Sequence, residues 1–490
     1  MKKINRKFVI VASLSLVLIL AVLLWAAETQ KTSPAAKKIA TFKYQDLVWQ
    51  VPQVGKEVKR VELKNGIIVY LKEDHTLPLF NVQVLINTGA VYEPAQKAGL
   101  AQLTGTVLRT GGTKSLKPDE INQKLEYMAG SVETSIGTEA GRASLSILSK
   151  DTDEGLKLLA DILRNPTFNK DKLQLVKDQL KEQIRRRNDT PGSIINREFY
   201  KTIYGDHPYG RSLEWDNIKS ITQKELAGFH QKYFQPHQIM LGISGDFKEA
   251  KILQKLEKVF GDWQKKEMDY PSKPKVEKKF KPGIYFIEKE INQSNIMLGH
   301  LGSDLNNPDQ YALSLMNFIL GGGSFSSRLT SRVRSDEGLA YSVGSSFPFT
   351  TQDLGVFFAS CQTKTKSTCR ALSYMLDEIK MIRENLVTEE ELNTAKDAYI
   401  NNFVFRFTTT EQIVGLLMGL EYDKRPADYY KNYLDNIRKV SAKDVLRVAQ
   451  QYLHPEALTI YVVGHKADFD ESLEELGKVT EIALVPPQVD

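Results

Sequence analysis

The amino-acid sequence predicts an α+β protein built from two tandem, similar domains. Three observations support this prediction. The chain has 490 residues, which is too long for one ordinary hydrophobic core. Segments with strand-like alternation and segments with helical periodicity follow one another in mixed order. A stretch near the middle of the chain also recurs close to its end.

The N-terminal segment is typical of an export signal. A basic start, Met1 to Lys7, precedes an apolar run from Phe8 to Trp25. As a helix this run spans roughly 27 Å, about the thickness of a bilayer's hydrocarbon core. Residues 1–27 are therefore expected to be a cleaved signal peptide or an uncleaved membrane anchor, and both alternatives stay open. In either case we expect the body of the protein to be extracytoplasmic, in the periplasm or anchored facing it.

The charge distribution argues against a nucleic-acid partner. The formal net charge is +6, and four of the positive charges lie within the first seven residues. No basic stripe with interleaved aromatic residues occurs in the sequence.

The polar segment 28–55 is expected to be a tether.

Local patterns place the first elements in order. The pair Asn65-Gly66 between Val61–Leu63 and Ile67–Leu71 suits a hairpin with a type I′ turn. Alternating apolar and polar residues indicate a half-buried strand from Phe80 to Asn87. Two shorter strands are expected at 131–136 and 142–148. Helical periodicity predicts helices at 99–109, 118–128, 151–164 and 170–187.

An internal repeat defines the two domains. Capping signals at Thr222-x-x-Glu225 and Ser441-x-x-Asp444 each precede a helix, and matching Tyr, Pro and Gly residues follow. All these landmarks are offset by 219 residues, as from Gly245 to Gly464. The sequence therefore predicts an N-terminal domain at 56–264, a solvated linker at 265–282, a C-terminal domain at 283–470 and a tail at 471–490.

Four groups of motifs carry a family resemblance. They are Asn87–Pro94 with Gly99-Leu100-Ala101, His207–Arg211, Gly321–Leu329, and Arg334 followed by Gly338–Ser342. In this order and spacing the chain resembles the pitrilysin/insulinase metallopeptidase family, especially its mitochondrial-processing-peptidase-like branch, over about residues 55–470. The resemblance implies two tandem homologous αβ-roll domains that form one clam-shell half. A second half would close the chamber.

The zinc motif of this family is replaced in the present chain. Active relatives carry His-x-x-Glu-His on the helix after Gly-Leu-Ala, and a later helix supplies a Glu ligand. The matching positions here are Gln102, Gly105, Thr106 and Gln183. Neutral amides and hydroxyls are poor zinc ligands, and glycine has no base to activate water. None of the seven histidines forms a pair at i,i+3 or i,i+4. The expectation is that this chain holds no metal and is inactive alone.

A second family feature is present. Arg334 and Tyr341 match an Arg/Tyr pair that, in the family, hydrogen-bonds the substrate backbone and helps to hold developing oxyanion charge. The alternative interpretation is a surface helix arginine and a core strand tyrosine. The preceding Gly321–Gly323 lacks the Lys-Ser/Thr of a nucleotide site. It is either a flexible substrate-contacting loop or a turn between helices.

These features lead to one functional hypothesis and two alternatives. The chain is expected to be the non-catalytic, substrate-binding subunit of an extracytoplasmic zinc metallopeptidase. Its partner would be a homologous subunit that bears the zinc motif and the zinc, and its substrates would be peptides. The first alternative is a structural or assembly protein without a proteolytic role. The second is an active stand-alone peptidase.

The two cysteines, Cys361 and Cys369, could form a disulfide or remain free thiols, and the sequence is compatible with both.

Overall fold

The computed structural model of the chain describes residue 38 and residues 50–266, 270–351 and 353–489. The segment Pro52–Asp490 forms one compact unit. The run Phe8–Trp25, and with it the predicted signal peptide or anchor, lies outside the described residues, as does most of the predicted tether. Within the described ranges, no helix has both the length and the apolar character needed to cross a bilayer.

Two six-stranded sheets organise this unit. The first has the order β1-β2-β6-β3-β5-β4 and the second the order β12-β7-β11-β8-β10-β9. The first sheet contains one parallel pair, β2 with β6, and the second contains two, β7 with β11 and β12 with β7. The strands are β1 (Lys59–Glu62), β2 (Ile68–Glu73), β3 (Leu79–Ile86), β4 (Ser131–Ile136), β5 (Gly141–Leu148), β6 (Ile239–Gly245), β7 (Gly283–Glu288), β8 (Gln293–Leu301), β9 (Ala340–Ser346), β10 (Val356–Lys364), β11 (Thr459–Gly464) and β12 (Val479–Glu481).

Helices follow the strands in both halves, and those expected from periodicity begin and end within two residues of their predicted bounds. Two π-helical segments, Phe318–Gly322 and Thr330–Asp336, come after α9. The α-helices are α1 (Leu100–Thr110), α2 (Pro118–Tyr127), α3 (Thr152–Arg164), α4 (Lys170–Arg185), α5 (Pro191–Tyr204), α6 (Trp215–Ser220), α7 (Gln223–Tyr233), α8 (Glu249–Phe260), α9 (Gln310–Asn317), α10 (Thr368–Glu384), α11 (Glu389–Phe403), α12 (Thr410–Tyr422), α13 (Tyr429–Lys439) and α14 (Ala442–Tyr452).

The internal repeat is visible in the structure. Helices α7 and α14 both start with a complete capping box, at Thr222 with Glu225 and at Ser441 with Asp444. Each helix is followed by a strand in the interior of its sheet, β6 after α7 and β11 after α14. Together with the matching strand orders, this confirms the predicted α+β fold with two similar halves.

The first hairpin differs from its prediction. Gly66 has a positive φ of 90°, but Asn65 does not share it, so the predicted type I′ turn is wrong. The Gly66 N–H donates to the Leu63 carbonyl at 2.9 Å. The reason is tertiary, because the Asn65 side-chain amide donates to the Phe260 carbonyl at 2.7 Å at the end of α8.

Helix α5 lies in the first half of the sequence but packs on the second sheet, against β8 and β11. Full burial of an aliphatic or aromatic side chain contributes about 1.5–3 kcal/mol, so several such residues hold α5 firmly. The core cluster at this interface includes Ile194, Ile195, Phe199 and Ile203 of α5 together with Ile287, Met297, Leu301, Val356, Tyr461 and Val463.

Helix α12 makes the reciprocal crossing, from the second half of the sequence onto strands β2, β3 and β6 of the first sheet. Gly242 on β6 allows the close approach, because a Cβ there would lie 2.7 Å from Cγ1 of Val414. At the end of α12, Glu421 accepts two hydrogen bonds from the Arg60 guanidinium, both at 2.7 Å. Each sheet is thus covered by a helix from the other half.

The predicted linker is pinned to both halves at several points. The Tyr270 ring lies 5.5 Å from the rings of both Tyr92 and Tyr233. Val276 is buried, and its N–H donates to the Asp353 carboxylate at 2.8 Å. In the segment expected as a tail, β12 adds to the second sheet beside β7. Neither segment is simply solvated chain.

Both cysteines are buried free thiols in the structure, Cys361 on β10 and Cys369 in the first turn of α10. Burial raises the pKa of the Cys361 thiol to about 12 and that of Cys369 to about 11. These thiols are therefore protonated and poorly nucleophilic at neutral pH.

Two histidines, His300 buried and His230 partly buried, should make the fold acid-sensitive. His230 donates to the Leu163 carbonyl at 2.8 Å, and His300 donates to the Leu301 carbonyl at 2.8 Å. Burial lowers the pKa of each imidazole to about 4. The unfolded chain therefore binds more protons between pH 6.5 and 4. The stabilisation is complete above about pH 6.5 and is lost as the pH falls towards 4.

We predict a loss of about 2 kcal/mol in unfolding free energy for each of these histidines between pH 7 and pH 5. Urea unfolding at the two pH values measures it. His230→Phe keeps the ring contacts with Phe168 and Phe234. It should reduce the difference in unfolding free energy between the two pH values. His465→Asn, at a partly exposed histidine whose pKa is raised by a hydrogen bond to Glu288, should not reduce it. An unchanged pH difference in His230→Phe would contradict the assignment.

Candidate functional site

The start of helix α1 is fixed by a buried carboxylate. One Glu93 oxygen accepts from the Gly99 N–H at 3.0 Å and the other from the Ala101 N–H at 2.9 Å. These bonds satisfy N–H groups that lack partners inside the helix. Burial raises the pKa of Glu93, and its hydrogen bonds with the backbone oppose that rise. The sequence motif that contains Glu93 therefore positions the helix on which the family's zinc motif lies.

The four positions of the lost zinc motif lie on two packed helices. Gln102, Gly105 and Thr106 are on α1, and the spacing of three and four residues places them on one face. Gln183 is on α4, which packs against α1. Gln102 and Gln183 are exposed and Thr106 is half-buried. The structure therefore brings these positions to neighbouring helices, as the resemblance implied.

Position 105 has no room for a side chain. A Cβ on Gly105 would lie 2.2 Å from the Ile136 nitrogen and 2.7 Å from the Ser135 carbonyl carbon, both on edge strand β4. The Thr134 hydroxyl also donates to the Gly105 carbonyl at 2.7 Å. At the position where active relatives place their general base, the helix backbone thus lies directly against the strand.

The remaining groups do not fit zinc. The Thr106 hydroxyl donates to the Gln102 carbonyl at 3.0 Å, within its own helix. Gln102 and Gln183 offer neutral amides, whereas zinc sites in proteins use imidazole, thiolate and carboxylate. Over the described ranges, no three His, Cys, Asp or Glu side chains are grouped so that they could hold a metal ion. The side chains at these positions therefore do not make a zinc site on α1 and α4.

The Arg/Tyr pair lies at the edge of the other sheet. Arg334 is on the π-helical segment Thr330–Asp336, and Tyr341 is on edge strand β9. The Arg334 guanidinium carbon lies 5.5 Å from the centre of the Tyr341 ring. Tyr341 is 77% exposed, so it is not a core aromatic residue. The structure brings these two residues together, but on a different sheet from the zinc-motif positions.

Sequence reasoning missed one member of this group as a candidate. Phe325, in the loop after Gly321–Gly323, is 66% exposed, and the Arg334 guanidinium carbon lies 4.7 Å from the centre of its ring. Arg334 is thus flanked by two exposed aromatic rings. The signal in the sequence was an aromatic residue within a run of glycine and serine, where burial is not expected. We call Phe325, Arg334 and Tyr341 the aromatic–arginine site.

A third family motif is structural. The ring Nε2 of His207 is 3.2 Å from the Pro274 carbonyl in the linker, and Tyr209 donates to Glu139 in the turn between β4 and β5. Arg211 donates to the Glu93 carbonyl at 3.3 Å. This motif ties the linker and the β4–β5 turn to the loop before α1.

Known proteins support the expected family. Residues 68–217 match the family model described as "Insulinase (Peptidase family M16)", and residues 220–399 match the one described as "Peptidase M16 inactive domain". An "Uncharacterized zinc protease" of Rickettsia felis is 26% identical over 348 residues, covering 70% of this chain and 82% of that protein. A Helicobacter pylori protein named "Non-peptidase homolog YmxG" is 25% identical over 404 residues, covering 81% and 92%.

Solved structures agree with this result. The crystal structure of the peptidase M16 inactive domain from Pseudomonas fluorescens superposes with a TM-score of 0.74 at 27% identity, covering 83% of this chain and 98% of that one. The two family models together match about two thirds of the present chain. On this evidence, and on the motifs and paired sheets described above, the protein belongs to the M16 (insulinase) peptidase family.

Proposed function

We propose that this chain is the non-catalytic, substrate-binding subunit of an extracytoplasmic M16 zinc metallopeptidase, and that a homologous zinc-bearing subunit supplies the chemistry. One contrast carries the proposal. The positions that would bind zinc and activate water hold Gln102, Gly105, Thr106 and Gln183, while the Arg/Tyr pair is intact, with Tyr341 exposed and Arg334 half-buried.

The chemistry of the remaining groups suits binding rather than cleavage. Arg334 supplies fixed N–H donors and a permanent positive charge, and Tyr341 supplies a hydroxyl donor. Such donors can hold a peptide carbonyl and the negative charge that develops on it during attack. They cannot activate a water molecule for attack on that carbonyl. A second subunit with zinc and a general base must provide this activation.

The relatives' names are consistent with this division. The Helicobacter pylori relative is named a non-peptidase homolog, and the Rickettsia felis relative is named a zinc protease. Family members with and without peptidase designation are therefore similar to this chain. An active stand-alone peptidase is disfavoured by the donor set around α1 and by the backbone contact at Gly105.

The proposed location rests on the N-terminal sequence. Basic residues before the apolar run Phe8–Trp25 favour export, with cleavage or anchoring both compatible with a body outside the cytoplasm. Peptides in that compartment are the proposed substrates, and no nucleic-acid partner is proposed.

Activity should appear only when this chain is mixed with a homologous chain that carries an intact His-x-x-Glu-His motif. In the mixture, Tyr341→Phe and Arg334→Ala should each lower kcat/KM for an unfolded peptide by roughly 10²-fold, because each removes a donor to the reacting carbonyl. Arg332→Ala, at a neighbouring exposed arginine, should have little effect. Peptide cleavage and zinc content are measured for each chain alone and for the mixture.

Two results would contradict the division of labour. Stoichiometric zinc and chelator-sensitive cleavage by this chain alone would establish a stand-alone peptidase. A stable complex without cleavage, in which Arg334→Ala changes nothing, would instead support the structural or assembly role.

Restoring the family residue at position 105 should harm the fold. Gly105→Glu forces a side chain into the backbone of β4, and overpacking together with a buried charge should cost about 3 kcal/mol or more. Gln102→His, at an exposed position of the same helix face, should change stability by less than about 0.5 kcal/mol. Urea unfolding of the two variants measures the difference. An unchanged urea midpoint for Gly105→Glu would contradict this prediction and show that β4 moves to accommodate the side chain.

A further inference from the structure

The aromatic–arginine site presents a charged group that is oriented but unpaired. The Arg334 guanidinium is held between the rings of Phe325 and Tyr341, at 4.7 and 5.5 Å. Both rings are mostly exposed. Throughout the described part of the chain, no carboxylate or carbonyl accepts a hydrogen bond from Arg334. Its five N–H donors therefore face solvent or a ligand.

The neighbouring arginines show how different this state is. Arg328 donates to both oxygens of Glu391, at 2.6 and 2.9 Å. Arg332 lies 3.6 Å from Glu337. Two of the three arginines between residues 328 and 334 thus hold a carboxylate of this chain, and Arg334 holds none. A carboxylate partner for Arg334 would therefore have to belong to another molecule.

The loop that carries Phe325 is held in a costly conformation. Ser324, immediately before it, has a positive φ of 53°, which a non-glycine residue adopts at some energetic cost. The loop is anchored nearby, because a Cβ on Gly321 would lie 2.4 Å from the Ser345 nitrogen on β9. The backbone therefore keeps a large apolar ring in solvent next to Arg334, where burial would otherwise be favoured. Strain that displays an aromatic side chain indicates binding.

We infer that one edge of the Arg334 guanidinium in the aromatic–arginine site binds a peptide carboxylate, either the C-terminal carboxylate or an Asp or Glu side chain, with an apolar side chain of the same peptide packed on Phe325. This pairing uses two of the five N–H donors and leaves the others for the peptide carbonyl. This inference rests on the proposed function and names the class of substrate that the site selects.

The preference for a carboxylate follows from the chemistry of arginine. The planar guanidinium matches the two oxygens of a carboxylate with paired hydrogen bonds, and charge-assisted bonds are about twice as strong as those to a neutral carbonyl. Stacking on two rings restricts the guanidinium before binding, so little side-chain freedom is lost when the ligand arrives. The exposed Phe325 ring offers apolar area beside the charge. A peptide with an acidic group next to an apolar residue satisfies both features.

The test uses the full-length chain and three dye-labelled, unstructured peptides of otherwise identical apolar sequence. One has an internal Asp and an amidated C-terminus, the second has Asn there and a free C-terminal carboxylate, and the third has Asn and an amidated C-terminus. Fluorescence polarisation gives the Kd of each. We expect at least one carboxylate peptide to bind about tenfold more tightly than the neutral peptide. Which one does so distinguishes the two sources of carboxylate.

Three variants assign the effect to the site. Arg334→Gln should abolish the tenfold preference, whereas Arg332→Gln should retain it because that guanidinium already faces Glu337. Phe325→Ser should weaken all three peptides alike, since it removes apolar area and leaves the charge. All three residues are on the surface or partly so, and circular dichroism of each variant checks the fold.

The outcomes separate this inference from the function on which it rests. Equal binding of the three peptides, still weakened by Arg334→Gln, would overturn the carboxylate preference and leave peptide binding at this site intact. A preference that survives Arg334→Gln would also overturn the inference. Absence of binding by any peptide would contradict both the inference and the proposed substrate-binding role.

Discussion

The reciprocal exchange of helices α5 and α12 is the constraint on which the rest of the structure depends. Each half of the sequence forms its own sheet, yet each sheet buries one face under a helix from the other half. Phe199 of α5 is fully buried against the second sheet, and Val414 of α12 against the first. Removing either half would expose an apolar sheet face, so the two halves stabilise each other.

The two edge strands, β4 and β9, have similar backbone neighbours but different exposed side chains nearby. Beside β4 a helical glycine, Gly105, touches the strand backbone, and beside β9 Gly321 does the same. In each half a helical segment therefore covers the edge of the sheet, which protects unpaired backbone groups from other chains. Near the first edge, Gln102, Thr106 and Gln183 offer only neutral donors, which suit zinc poorly. The second edge displays Arg334 and Tyr341, and the proposed peptide site lies there.

The residues around the positions of the family's zinc motif have structural roles of their own. Glu93 caps α1, and Arg211 and Tyr209 tie the surrounding loops together. These residues hold the fold whether or not zinc is present. At two of the positions that match zinc ligands in active relatives, the side chains of Gln102 and Gln183 are exposed on their helices. The contacts that hold this part of the fold are therefore separate from the positions that match the zinc ligands.

The sequence by itself determined the elements, the repeat and the positions of the motifs. Periodicity predicted α3 and α4, and capping signals marked the starts of α7 and α14. These two signals are local, so they can be recognised without knowledge of the fold. The family resemblance pointed to Gln102, Gly105, Thr106 and Gln183. The tertiary structure alone decided the rest. It turned Asn65 towards Phe260, crossed α5 and α12 between the sheets, closed position 105 against β4, and placed Phe325 beside Arg334. Each of these depends on packing between segments distant in sequence, which the local pattern of residues does not encode.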